Sequence, residues 1–151
     1  MILNNLHDWI LFLIPIVAIF VTSGVCKIGR NAGVTVKFRP PPAVFGIAWA
    51  CLTLLIGLSW IFCIKDTHDA EKITAYVIYT LLVTSLMLWI IFYGCASSPL
   101  KALWTLIPSL ALSFMILSVG TYASRLLICP LIAWIIFAMM MATHEYQQVQ
   151  N

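Results

Sequence analysis

Five long apolar runs alternate with four polar breaks along this chain, and that pattern sets an architecture before any motif is read. The runs fall near 9–26, 42–64, 73–96, 100–122 and 126–143, bounded by charges, prolines and small polar residues. Each is long enough to cross a bilayer as a helix, which takes about twenty apolar residues. Lipid offers the backbone no hydrogen-bond partner, and a helix satisfies its own N–H and C=O groups within one segment. A transmembrane barrel is excluded, because its strands would alternate apolar with polar residues. The expected fold class is all-α, an integral membrane bundle of five transmembrane helices forming a single domain over 1–151.

The breaks refine this picture. The first, 27–41, is the only long loop and holds Gly29, Gly33 and the Pro40-Pro41-Pro42 run. The second, 65–72, packs five charges and His68 into eight residues, which belong in water. Ser97-Ser98-Pro99 and Ala123-Ser124-Arg125 are so short that the spans they join must run antiparallel as hairpins. The first run is expected to be a retained helix rather than a cleaved signal. It is preceded by Asp8 with no Lys or Arg, exceeds an h-region in length, and is followed by no Ala-x-Ala site.

Composition agrees with a multi-pass membrane protein: 63 % of residues are hydrophobic, 9 % are charged, and mean hydropathy is +1.05. Basic residues set an expected orientation. Lys27, Arg30, Lys37, Arg39 and Lys101 share one face, against Lys65, Lys72 and Arg125 on the other, which places the first loop and the C-terminus in the cytosol. The net charge of +3 fits attraction to anionic headgroups, and the basic residues form no stripe of the kind that binds nucleic acid. Mitochondrial outer membrane, endoplasmic reticulum and bacterial inner membrane are all compatible with the sequence. Cys26, Cys51, Cys63, Cys95 and Cys129 lie in or at the ends of spans, are odd in number and show no CxxC spacing, so they read as small buried apolar fillers.

Catalytic chemistry finds little support. His7, His68 and His144 stand at span edges, His144-Glu145 lacks the second histidine of an HExxH zinc site, and no acid or base occupies the middle of a span. The spans offer aromatic surface instead. Trp9, Trp60 and Trp104 sit near span ends and read as an interfacial belt. Trp49 and Trp134 lie deeper, where an indole N–H favours a protein-facing position. Trp134, Phe137 and Ala138 share one helix face, which serves helix packing as readily as a pocket.

Two sequence signatures tip that balance. Phe38-x-Pro40-Pro41-x-x-Val44-Phe45-Gly46-x-x-Trp49-x-x-Leu52, followed by Gly57, resembles the first loop and second helix of the translocator protein family, also called TspO/MBR or tryptophan-rich sensory proteins. Pro130-x-x-Ala133-Trp134-x-x-Phe137-Ala138 is similar to that family's fifth helix, and Phe92-Tyr93-Gly94 resembles the end of its third. The sequence departs from the family pattern at Ala43, Ile47, Thr53, Leu131 and Ala142, and at Ser85 or Leu86, where aromatic, proline or polar anchors are usual. Tyr146 is followed by no Lys or Arg, so the family's sterol-recognition pattern is absent.

The resemblance implies a five-helix bundle, commonly a homodimer, with an aromatic cavity under the first loop that binds porphyrin, haem or other flat lipophilic molecules. It implies ligand contacts from Phe38, Phe45, Trp49, Leu52, Tyr79, Trp89, Trp134, Phe137, Ala138 and Met141, with Phe38 in the lid. No resident cofactor, catalytic residue or metal is expected. Two alternatives stand beside binding and translocation: a porphyrin-degrading enzyme using the aromatic pocket, and a membrane interaction or scaffold subunit whose pocket has decayed.

Overall fold

The computed structural model describes residue 3, residues 5–28 and residues 33–150, the side chains of 149 and 150 excepted. Gly29 and Arg30 of the first loop and Asn151 lie outside the described residues. Five helices are long and apolar enough to span a membrane. They are α1 (Leu6–Cys26), α2 (Pro42–Asp66), α3 (Asp69–Ile90), α4 (Pro99–Val119) and α5 (Tyr122–Gln150). A π-helical turn, Ile91–Cys95, continues α3. Proline opens both α2 and α4, where its missing N–H costs nothing and its fixed φ suits the first turn.

The helices overrun the apolar runs because their polar ends are stabilised. Asp69 and Glu71 sit in the first turn of α3, where carboxylates suit the helix dipole, and Asp69 pairs with Lys72 at 2.7 Å. Lys65, in the last turn of α2, pairs with Asp8 of α1 at 2.7 Å. Asp8 is 5 % exposed and also accepts from the Asn5 N–H at 3.4 Å. The charged break expected over 65–72 therefore shrinks to Thr67 and His68.

The helices close a ring in the order α1, α2, α5, α4, α3, and α2 meets α3 across it. Polar side chains tie neighbours together inside the apolar bundle. Between α3 and α4, Ser85 donates to the Thr105 carbonyl at 2.9 Å and accepts from Ser109 at 2.8 Å. Between α2, α3 and α5, the Ser59 and Tyr79 hydroxyls meet at 2.6 Å and Ser59 donates to the Ser124 carbonyl at 2.9 Å. Trp60 stacks on Tyr79 at 5.3 Å with the rings nearly parallel, and is 2 % exposed. That burial corrects the interfacial-belt reading of Trp60, because the ring turns inward to cover Tyr79. Trp104, by contrast, faces outward and is 66 % exposed.

Gly57 lets α1 and α2 approach. A Cβ there would lie 2.6 Å from the Phe12 carbonyl oxygen, which belongs to backbone and has no room to yield. At Gly46 a Cβ would meet nothing within 4 Å. We expect Gly57→Val to cost about 1–3 kcal/mol, read as a lowered thermal midpoint in detergent. Gly46→Ala is expected to be neutral or stabilising, and equal losses from both would refute the close-contact account.

Candidate ligand site at the mouth of the bundle

The first loop, the C-terminal end of α1, the π turn and the last turns of α5 share one end of the bundle, called the mouth here. The side chains of Ile28 and Val36 are buried and anchor the loop to the core. Gly33 has a φ of +67°, and a Cβ on it would lie 2.5 Å from the Met141 sulfur, so conformation and packing both call for glycine. Its N–H donates to the Glu145 carboxylate at 3.2 Å, and Tyr93 Oη–H donates to the same oxygen. Glu145, 8 % exposed, thus joins loop, α3 extension and α5 in one buried knot.

Below this knot lies a connected set of aromatic rings. Trp49 of α2 faces Trp89 of α3 at 5.5 Å and meets Trp134 of α5 edge-on at 6.4 Å. Phe45 meets Trp134 at 5.7 Å, and Trp134 meets Phe137 at 5.6 Å. Phe38 extends the chain into the loop, with its ring edge-on to Phe137 at 6.3 Å and to His144 at 5.5 Å. Arg39 lies over the Phe45 ring at 5.7 Å, which places a cation at the edge of the set. The set runs from Phe38 at the mouth to Trp49, roughly 10 Å along α2 from its first residue at 1.5 Å rise per residue.

Among the described residues the indole Nε1 atoms of Trp49, Trp89 and Trp134 are buried with no hydrogen-bond acceptor, as is that of Trp60 outside the cluster. The Ser23 hydroxyl is in the same condition. Ser23 and Trp49 line a recess of about 240 Å³ between α1 and α2, closed by Ile19, Ile28 and Phe45. A second recess, about 390 Å³, lies between α2 and α5 against Leu52 and Trp134. A third, about 570 Å³, runs beside α5 between Phe38, Leu110 and His144. The aromatic wall of Phe45, Trp49 and Trp134 separates the first two.

The structure therefore brings Phe38, Phe45, Trp49, Trp89, Trp134 and Phe137 into one ring-to-ring set. Leu52 and Ala138 are buried, with Leu52 beside that set, and Met141 packs on Gly33 under the loop. Tyr79 stands apart, in the polar network with Ser59 and Ser124.

The family model for TspO/MBR proteins matches residues 10–146, nearly the whole chain. The chain belongs to the TspO/MBR family. No curated protein sequence matches it. The region shared with the TspO/MBR family contains the whole aromatic cluster and the Glu145 knot, and its departures from the family pattern are filled locally. Thr53 turns its hydroxyl back to the Trp49 carbonyl at 2.8 Å, Ser85 bonds to α4, and Ala142 is fully buried.

Two features of this TspO/MBR protein escaped the sequence reading. Cys26 and Cys95 form a disulfide, and Cys51 and Cys129 are exposed, which corrects the reading of the cysteines as buried fillers. Of the free cysteines only Cys63 is buried. The π turn adds a residue to α3 and sets Cys95 beside the end of α1, while Gly94 admits the Cys26 carbonyl to 2.5 Å from where a Cβ would stand. The signal was the antiparallel order, which puts both cysteines at the mouth. Glu145 was also missed, although Trp134, Ala138, Met141 and Glu145 follow one helical face at i, i+4, i+7 and i+11.

Replacing Glu145 by Leu strands the Gly33 N–H and the Tyr93 hydroxyl together. We expect it to cost about 1.5–3 kcal/mol, the scale of hydrogen bonds to a charged group. Amide exchange at 33–39 should accelerate, and unchanged protection there would show that the knot does not hold the loop.

Proposed function

We propose that this TspO/MBR protein binds flat lipophilic ligands, tetrapyrroles such as porphyrin and haem foremost, at the aromatic cluster and moves them within or across the membrane. The observation that carries the proposal is the set of three indoles, Trp49 packed on both Trp89 and Trp134, whose N–H groups lack acceptors among the described residues. Burying a donor without an acceptor costs about 1–3 kcal/mol, and a ligand with peripheral oxygen or ring nitrogen atoms supplies what is lacking. A flat π system also gains from offset or edge contacts with tryptophan faces. Arg39, beside Phe45, provides a cation for a ligand carboxylate.

The recess between α1 and α2, at about 240 Å³, is smaller than the 300–1,000 Å³ usual for drug-sized ligands, so binding there requires the helices or rings to part, whereas the recesses against Trp134 and Phe38, at about 390 and 570 Å³, fall within that range. The proposal includes the cytosolic placement of the first loop and C-terminus, on the excess of basic residues, and the homodimer that the family resemblance implies. A second reading, an interaction protein whose aromatic cluster only packs helices, is favoured by the closeness of the ring contacts themselves.

Titration of protoporphyrin IX into the detergent-purified protein, followed by tryptophan quenching, separates the two. We expect saturable binding at micromolar concentration or tighter, weakened about threefold to tenfold by Trp49→Phe or Trp134→Phe, as the loss of a stacking partner worth ~0.5–1.5 kcal/mol implies. Quenching no stronger than that of an unrelated membrane protein, and insensitive to both substitutions, would move the interaction reading to the front.

A further inference from the structure

The two ends of α1 are held in different ways. At the end far from the mouth, Asp8 pairs with Lys65, and His7 Nε2 lies 2.8 Å from the Tyr76 hydroxyl. At the mouth, the disulfide joins Cys26 to Cys95 with their Cα atoms 4.6 Å apart. One turn from Cys26, Ser23 lines the recess between α1 and α2, and Ile28 lines it just beyond. With α4, α1 is also the least buried of the five spans, so less packing opposes its displacement. The knot of Glu145 and Gly33 ties the loop to α5, independently of α1.

The redox setting argues for a bond that cycles. By sequence, the first loop and the start of α4 carry five of the eight basic residues, the ground for the cytosolic placement proposed above, on which the redox argument rests. Glutathione keeps cytosolic thiols reduced, and disulfides found there are usually transient and catalytic or redox-sensing. The two sulfurs also differ in access, since Cys26 is buried and Cys95 is exposed.

We propose that the Cys26–Cys95 disulfide is a redox gate on the recess between α1 and α2. Oxidised, it pins the end of α1 and holds the recess narrow. Reduced, it lets that end move about its fixed far end and admits the lipophilic ligand. The ligand part rests on the binding function proposed above.

The exchange balances with a glutathione-type monothiol. Its thiolate attacks Cys95 Sγ, the Cys26–Cys95 bond breaks, and Cys26 leaves as a thiolate that takes up a proton. A second thiolate attacks the small-thiol sulfur of the mixed disulfide and releases Cys95, which is protonated in turn. Two small thiols become one disulfide, and two electrons and two protons pass to the protein. The reverse sequence, with oxidised glutathione, closes the gate.

The test uses the full chain in lipid nanodiscs, oxidised and reduced, beside Cys26→Ser/Cys95→Ser. Amide exchange over 20–28 is read without ligand, and stopped-flow quenching by protoporphyrin IX gives the binding rates. Reduction is expected to raise exchange at the end of α1 at least about tenfold. It is expected to speed porphyrin association and dissociation by about tenfold or more. The double variant should be fast with or without reductant, and if it does not fold, the oxidised and reduced wild type decide. Porphyrin rates equal in both states would overturn the gate while leaving the binding function standing. Faster exchange with no porphyrin binding in any state would sink the binding function and support the redox-controlled movement of α1. Unchanged exchange would overturn the gate whatever the porphyrin does.

Discussion

Lipid accepts no hydrogen bond, and the arrangement of this bundle follows from where its polar groups find acceptors among themselves. Ser59, Tyr79 and the Ser124 carbonyl settle three helices against one another, and Ser85, Thr105 and Ser109 do the same for two. These contacts leave the apolar side chains to fill the remaining space, with no strong preference among one another in a solvent as apolar as they are. Against that background the buried indoles are an exception in both halves of the bundle, since Trp60 Nε1 lacks an acceptor as those of Trp49, Trp89 and Trp134 do. Their rings are well packed and their N–H groups are not answered, so the cluster satisfies shape without satisfying hydrogen bonding.

The mouth applies the same rule with stronger groups. A carboxylate buried beneath a loop needs donors, and Glu145 takes them from a backbone N–H and a tyrosine. Position 33 takes a left-handed φ of +67°, which favours glycine, and the Met141 side chain fills the space beside it. Gly94 has the matching role on the other side, admitting the backbone of α1 close enough for the disulfide. Two cross-ties thus meet at one π turn, where Tyr93 holds Glu145 and Cys95 holds the end of α1.

The hydrophobic pattern made five spans and their antiparallel order legible, because twenty apolar residues in lipid have almost no alternative to a helix. Helix ends were less legible. Lys65, Asp69 and Glu71 are polar by composition yet helical in place, stabilised by an ion pair and by the helix dipole, which a hydropathy profile does not register. The motifs carried Phe45, Trp49, Trp134 and Phe137 into one cluster, since one helical face brings the last two together and the bundle brings α2 against α5. Trp60 and Cys26 went astray for one reason. Both stand near span ends, where composition suggests interface or filler, and only the neighbouring helix shows what each side chain meets.

The size of the recess bears on how such a site operates. At about 240 Å³ the recess between α1 and α2 lies against the aromatic wall without the room a macrocycle needs, so that recess is closed to such a ligand in this structure. Opening by α2 or α3 would tear the inter-helix hydrogen bonds of Ser59 and Ser85, together with the packing of the two most buried spans. Opening by α5 would break the Glu145 knot. The face of α1 toward the recess carries the unanswered Ser23 hydroxyl, and much of its other surface faces outward, so its displacement sacrifices least. The helix that can yield most cheaply is the one that the disulfide holds.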